Sequence, residues 1–259
     1  MSQSSDRLQD PRHRQARATR ILDVTAELLL RHGYRRVTID DIAHHADIGK
    51  GTVYLHWKTR DELFKAVFER EVLQALEGLL QALRDDPRAW RLHRLARSYF
   101  LAIMRRPLLR GLFLADSELL GKLARPSGHE RERRHDLVSH AYVELLAEHG
   151  LLRDDLSAAS VAYAFLATLE GFIQAEAGQR QGSGIEERAD LLALTVQRAF
   201  ETQRKASPAA EKTIAARVID LFARLGDADR ADLGIGSDEG IAPGPADRQS
   251  GPTATTTRR

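Results

Sequence analysis

No cysteine occurs in this sequence. That excludes disulfides, thiolate catalysis and zinc-finger sites. Strong charge of either sign is also missing. The net charge is +2, far short of what a protein that coats DNA without regard to sequence requires. No stretch approaches the roughly 20 consecutive apolar residues of a membrane span, and the polar N-terminus lacks the apolar core of an export signal. The expectation is a cytoplasmic protein with no membrane partner. No segment alternates apolar and polar residues between hairpin turns, so strands are not expected. Gly-x-Ser-x-Gly, His-Glu-x-x-His and a glycine loop ending in Lys-Ser/Thr are all absent, so neither catalytic residues nor a cofactor is indicated. His129, His135, His140 and His149 include no pair four residues apart, which argues against a metal site.

What is present is helix. The 259 residues suffice for one or two domains with real cores. Residues 1–60 carry eleven Lys/Arg against seven Asp/Glu, while the remainder is slightly acidic. Basic charge is therefore concentrated in the first quarter, where Arg7, Arg12, Arg14, Arg17 and Arg20 precede or open the first helix as a candidate DNA-contacting arm. Ala18, Ile21, Leu22, Thr25, Leu28 and Leu29 recur at helical spacing up to a stop at Gly33.

The segment from Thr38 to Arg60 carries the most information. Thr38 is placed to cap a short helix, with Asp41 at the reciprocal position and Val37 and Ile42 spaced as a hydrophobic staple. Ile39, Ile42, Ala43 and Ala46 form the inward face. Asp47 stands where a tight turn needs left-handed backbone, which Asp tolerates better than most residues. Lys50 to Trp57 then form a second helix with Val53 and Trp57 facing inward. Lys50, Thr52, Tyr54 and His56 distribute donors around the rest of it, and Gly51 opens it. Thr59 and Glu62 make a capping box for the next helix, flanked by Lys58 and Arg60, where backbone N–H groups attract phosphate. Two short helices, a tight turn and an immediate third start are the pattern of a DNA-reading helix-turn-helix.

The run Ile42-Ala43, then Lys50-Gly51-Thr52-Val53-Tyr54-Leu55-His56-Trp57, then Thr59 resembles the DNA-binding domain of the TetR family of transcriptional regulators. The likeness extends upstream through residues 21–28, Gly33, Tyr34 and Thr38, and downstream through Asp61, Glu62, Leu63 and Phe64. It departs at Asp47, where the family often has Gly, and at Gly49, where it often has Ser. The resemblance implies that Thr38, Thr52, Tyr54, His56 and Arg60 touch phosphates or base edges, with Lys50 and Gly51 entering the groove. Lys58 completes the DNA-binding set.

The rest of the chain reads as helices interrupted at Asp85-Asp86-Pro87, Pro107, residues 125–128, Gly150 and Ser207-Pro208. The expected fold is all-α: a three-helix head at 14–74, a helical body at 75–206, an extra helix at 207–226 and a disordered tail at 227–259. The third body helix is expected to run to about residue 120. By resemblance, the body is an effector-binding and dimerisation domain. The small-residue helix at 157–177 and the helix at 186–205 are candidates for a four-helix dimer interface. Tyr99, Phe100, Phe113, Tyr142, Phe165 and Phe172 are candidates to line an apolar pocket. The implied partners are a palindromic double-stranded operator, a second copy of the chain and a small-molecule effector. The implied action is that of a repressor released by the effector, with an activator or a ligand-independent regulator as the alternative.

Overall fold

The computed structural model describes residues 11–86, 88–114, 129–178 and 184–233. These residues contain ten α-helices and no β-strand, the all-α fold expected. In chain order the helices are α1 (Pro11–Arg36), α2 (Ile39–His45), α3 (Lys50–His56), α4 (Arg60–Asp85), α5 (Leu92–Met104), α6 (Pro107–Phe113), α7 (His129–Glu148), α8 (Ala158–Ala175), α9 (Ile185–Phe200) and α10 (Pro208–Asp232).

Two cores divide the molecule. The head core joins Ile21, Leu28 and Leu29 of α1, Ile42 of α2, Val53 of α3 and Leu63, Phe64 and Val67 of α4. The body core collects Leu76, Leu79, Leu80 and Leu83 of α4 with the apolar faces of α5 and α7 to α10. α4 thus gives its first turns to one core and its last turns to the other. α6 is shared too: Leu108 lies in the head core and Leu109 in the body core. Because interiors are close-packed, a shift of either helix must be felt on both sides.

Gly33 breaks α1 with φ 70° and ψ 167°, backbone that a side chain would resist. The break turns Tyr34 into the head, where its ring meets Phe64 edge-on and its hydroxyl donates to Asp61 at 2.7 Å. α8 has the length and apolarity of a membrane span by composition alone. Its Val161, Ala162, Phe165, Leu169 and Ile173 nevertheless enter the body core as one stripe, as a helix of a folded body does.

Several expected boundaries move. α1 starts at Pro11, so Arg12, Arg14, Arg17 and Arg20 are helical rather than a loose arm, while Arg7 lies outside the described residues. The expectations for 115–128 and for the tail beyond 233 also lie outside them. α9 stops at Phe200 instead of continuing to Lys205. Glu201 is pulled away by His93, whose backbone N–H donates to its carboxylate at 2.9 Å, and by a bridge to Leu152.

The last helix is longer than expected. α10 continues to Asp232, so residues 227–232 are helix and not the start of a disordered tail. The apolar pattern fades after Leu225, but ion pairs carry the helix on. Asp229 is buried and paired to Arg131 at 3.0 Å and His135 at 2.8 Å, both on α7. Arg230 pairs with Glu77 of α4 at 2.8 Å.

Candidate nucleic-acid interface

The head is built from caps inward. Thr38 accepts from the Asp41 backbone N–H at 3.2 Å, and its own N–H donates to the Asp41 carboxylate at 2.9 Å. Both orphan donors at the start of α2 are thereby satisfied, and two negative charges sit at the positive end of its dipole. Asp47 takes φ 53°, the left-handed turn expected. Ile48 follows, partly buried against the head core. Gly49 caps α3 with no side-chain bond. Thr59 caps α4 by accepting from the Glu62 N–H at 3.1 Å.

Val53 fixes the orientation of α3 because it is fully buried. At 100° per residue, Gly51 and Leu55 fall opposite it, with Lys50 and Tyr54 on one flank and Thr52 and His56 on the other. Lys50, Gly51, Tyr54 and Leu55 are exposed and Thr52 is half-buried, so these five form one outward surface. Lys50 is held at one edge by Asp40, at 2.9 Å. That hydrogen bond raises the ammonium pKa above its ordinary value, so the group is a cation at any physiological pH.

His56 is half-buried and tilted against Trp57, with ring centroids 5.4 Å apart. Burial lowers its pKa, and the nearby Arg14 and Arg17 lower it further. The imidazole is therefore neutral at pH 7, one nitrogen donating and the other accepting. Lys58 is exposed at the start of α4.

Besides Lys50, two expected contact residues also have partners within the head. The Thr38 hydroxyl lies 2.6 Å from the Asp41 carboxylate and is spent on the cap. Arg60 donates to the Val37 carbonyl at 3.3 Å and lies over the rings of Tyr34, at 4.6 Å, and Phe64, at 5.3 Å. It braces the α2 entry against α4. Sequence reading passed over two residues on the outward surface: Asp40, which tethers Lys50, and Leu55, whose side chain is free of the head core. The position of Leu55 opposite Val53 was the available signal.

The six aromatic candidates of the body separate into two groups. Phe100, Tyr142 and Phe165 are buried in the body core, and the Tyr142 hydroxyl donates to the Trp90 carbonyl at 2.7 Å. Phe165 packs edge-on against Phe200. Tyr99 and Phe113 meet edge-on at 6.5 Å, and Phe113 and Phe172 are only partly buried. Gln174 of α8 donates to the Phe113 carbonyl at 2.7 Å, joining α8 to the end of α6.

A helix pair crossing a tight turn, locked by two caps and presenting a polar second helix outward, is a helix-turn-helix of the DNA-binding class. Residues 21–67 match the family described as bacterial regulatory proteins, tetR family. The match takes in α2, α3 and the parts of α1 and α4 that pack against them. An uncharacterized HTH-type transcriptional regulator of Mycobacterium tuberculosis is 40% identical over 87 residues, which cover 33% of this chain and 43% of that one. The match therefore spans less than half of that relative's length. The HTH-type transcriptional repressor BepR of Brucella suis is 27% identical over 163 residues, 59% of this chain and 77% of BepR. Among solved structures, NalD, the secondary repressor of the MexAB-OprM multidrug efflux pump in Pseudomonas aeruginosa, shares the fold. Its TM-score is 0.51 at 20% identity, over 73% of this chain and 98% of NalD.

Proposed function

We propose that this protein is a sequence-specific DNA-binding transcriptional regulator that works in the cytoplasm as a homodimer, and that it is a repressor released from a palindromic operator by a small-molecule effector. The observation that carries the reading is the outward face of α3. Lys50, Gly51, Thr52, Tyr54 and Leu55 are presented together on a short helix whose opposite side, Val53, is locked in the head core. A helix so placed enters the major groove, while Lys50, Lys58 and the α1 arginines approach the phosphates alongside. Thr38 and Arg60 contribute indirectly, by fixing the angles at which α2 and α4 meet α3.

Support for the dimer comes from α8 and α9. The 18 residues of α8 have a mean hydropathy of 1.2, yet only 28% of them are buried in the monomer. Tyr163 of α8 is 77% exposed, and Leu191 and Leu194 of α9 are 54% and 45% exposed. Ala159, Ala167 and Gly171 lie on the same exposed side of α8 and allow a second helix to approach closely. Exposed apolar surface of this kind supports an interface, and a palindrome needs two heads in fixed register.

Effector release is supported by the sharing of α4 and α6 between the two cores. A ligand inserted beside Tyr99 and Phe113 would displace the end of α6, the helix that carries Leu108 of the head core. The heads would then lose their spacing, provided the ligand favours the displaced state. The repressor sense is supported by BepR, itself a repressor. Selection of the protein against a random duplex pool tests the reading. Enrichment of a palindrome with two half-sites is the expected result. Enrichment of a single, unrepeated half-site would remove the dimer, and no enrichment at low salt would remove the DNA-binding reading.

A further inference from the structure

We infer that Leu55 reads the 5-methyl group of a thymine in each operator half-site. This rests on the DNA-binding reading of α3 and deepens it. Leu55 is 74% exposed, more than any other large apolar side chain of the head, whereas Val53 two residues earlier is 0% exposed. The two mark opposite sides of α3. A helix of seven residues has room for only two positions on its outermost ridge, and here they are Gly51 and Leu55.

Gly51 contributes no side chain, and even a Cβ built there would meet nothing within 4 Å. The ridge is therefore a bare backbone step followed by one isobutyl group. The polar groups of α3, Lys50, Thr52, Tyr54 and His56, all flank it. Whatever this ridge faces most closely is met by Gly51 and Leu55, while the flanks meet the walls of the groove.

Chemistry then narrows what Leu55 can recognise. It has neither donor nor acceptor, so it can make no hydrogen bond to a base edge or a phosphate. The groups that distinguish guanine, cytosine and adenine in the major groove are polar, beside small ring C–H positions, while thymine adds a projecting apolar C5-methyl. An isolated exposed leucine on a protein surface needs no explanation. Here it occupies the centre of the face that approaches the bases, where a desolvated polar edge would be penalised and a methyl group would not. Leu55 thus favours thymine over the other three bases at one position of each half-site.

Deoxyuridine supplies the test, since it keeps every hydrogen-bonding group of thymine and lacks only the methyl. Each thymine of the selected operator is replaced in turn, symmetrically in both half-sites, and the wild-type protein and Leu55→Ala are titrated against every duplex. The wild type should lose about fourfold per half-site at one thymine and little elsewhere, the worth of one buried methyl. Leu55→Ala should bind the thymine and uracil duplexes alike at that position. Its melting temperature checks that the head is still folded. Uniform binding of all uracil duplexes by the wild type would overturn the inference and leave the DNA-binding reading standing. So would a full methyl effect retained by Leu55→Ala, with the effect abolished by Thr52→Ser pointing to the threonine methyl as the reader. Failure of the wild type to enrich any sequence would remove the DNA-binding reading, and the role of Leu55 with it.

Discussion

Asp40 would compete with a phosphate for Lys50. Its carboxylate both holds the ammonium at 2.9 Å and adds a negative charge to the surface that would face DNA. Asp40→Asn should therefore strengthen binding to all duplexes alike. It should also steepen the fall of affinity with salt by about 0.9 in log–log slope for each phosphate that Lys50 gains. Titrations at several salt concentrations decide it, and an unchanged slope would mean that Lys50 does not reach phosphate. Losing a carboxylate from the first turn of α2 should cost about 0.5 kcal/mol of stability, visible as a lower melting temperature. At this scale much was legible from neighbours in the chain. The Thr38–Asp41 box and the left-handed Asp47 are local events, decided by residues within three or four positions. Arg60 was not legible in the same way. Its partners, the Val37 carbonyl and the Tyr34 ring, are 23 and 26 positions away, so its intramolecular contacts are not announced by its neighbours in the chain.

α10 shows what element-level reading misses. Its apolar residues predict a helix that ends near 226, because the remaining residues look like those of a solvated tail. Inside the fold Asp229 is fully buried and faces Arg131, Arg134 and His135 of α7, with Glu69 of α4 behind Arg131 at 3.9 Å. Burial alone would raise the Asp229 carboxyl pKa, but the hydrogen bonds from His135 and Arg131 outweigh it and hold the value below that of an ordinary aspartate. The folded state thus binds this proton more weakly than the unfolded chain. The stability that Asp229 contributes is present above the unfolded value of about 3.9 and is lost as pH falls through the lower folded value. Asp229→Asn leaves two arginines facing a neutral group and should cost about 3 kcal/mol at pH 7. It should also flatten the loss of stability in acid. Urea unfolding at neutral and acid pH measures both. An equal acid loss in the variant would place the proton uptake elsewhere. α9 makes the same point in reverse. Its helical pattern continues to residue 205, yet the helix ends at Phe200 because His93, over a hundred positions earlier, claims Glu201.

For the whole molecule the unexplained surface is that of α8 and α9. Tyr163, Leu191 and Leu194 are exposed on neighbouring helices whose other faces fill the body core. Replacing both Leu191 and Leu194 with Asp should produce a folded monomer, since neither side chain belongs to that core. Sedimentation should then give a mass near the 29.0 kDa of one chain. Binding to a palindrome should fall to the level of a single half-site. A dimer that survives the double substitution would move the interface to another face. The same molecule-wide view assigns α4 and α6 their roles. Neither stands out by composition, but each places side chains in both cores, so each would carry a change in the body to the head under the proposed effector release.

Sequence alone determined the helix-turn-helix, its caps, its turn, its buried and outward faces and the all-α class. These depend on residues near one another in the chain and on a period of 3.6, which a sequence displays directly. Tertiary structure alone decided which polar side chains are spent within the molecule, where α9 and α10 end, and that α6 is shared between two cores. Those outcomes are set by partners tens to over a hundred residues away. An arginine, aspartate or aromatic ring carries the same chemistry wherever it occurs, and only the fold determines what stands within hydrogen-bonding or packing distance of it.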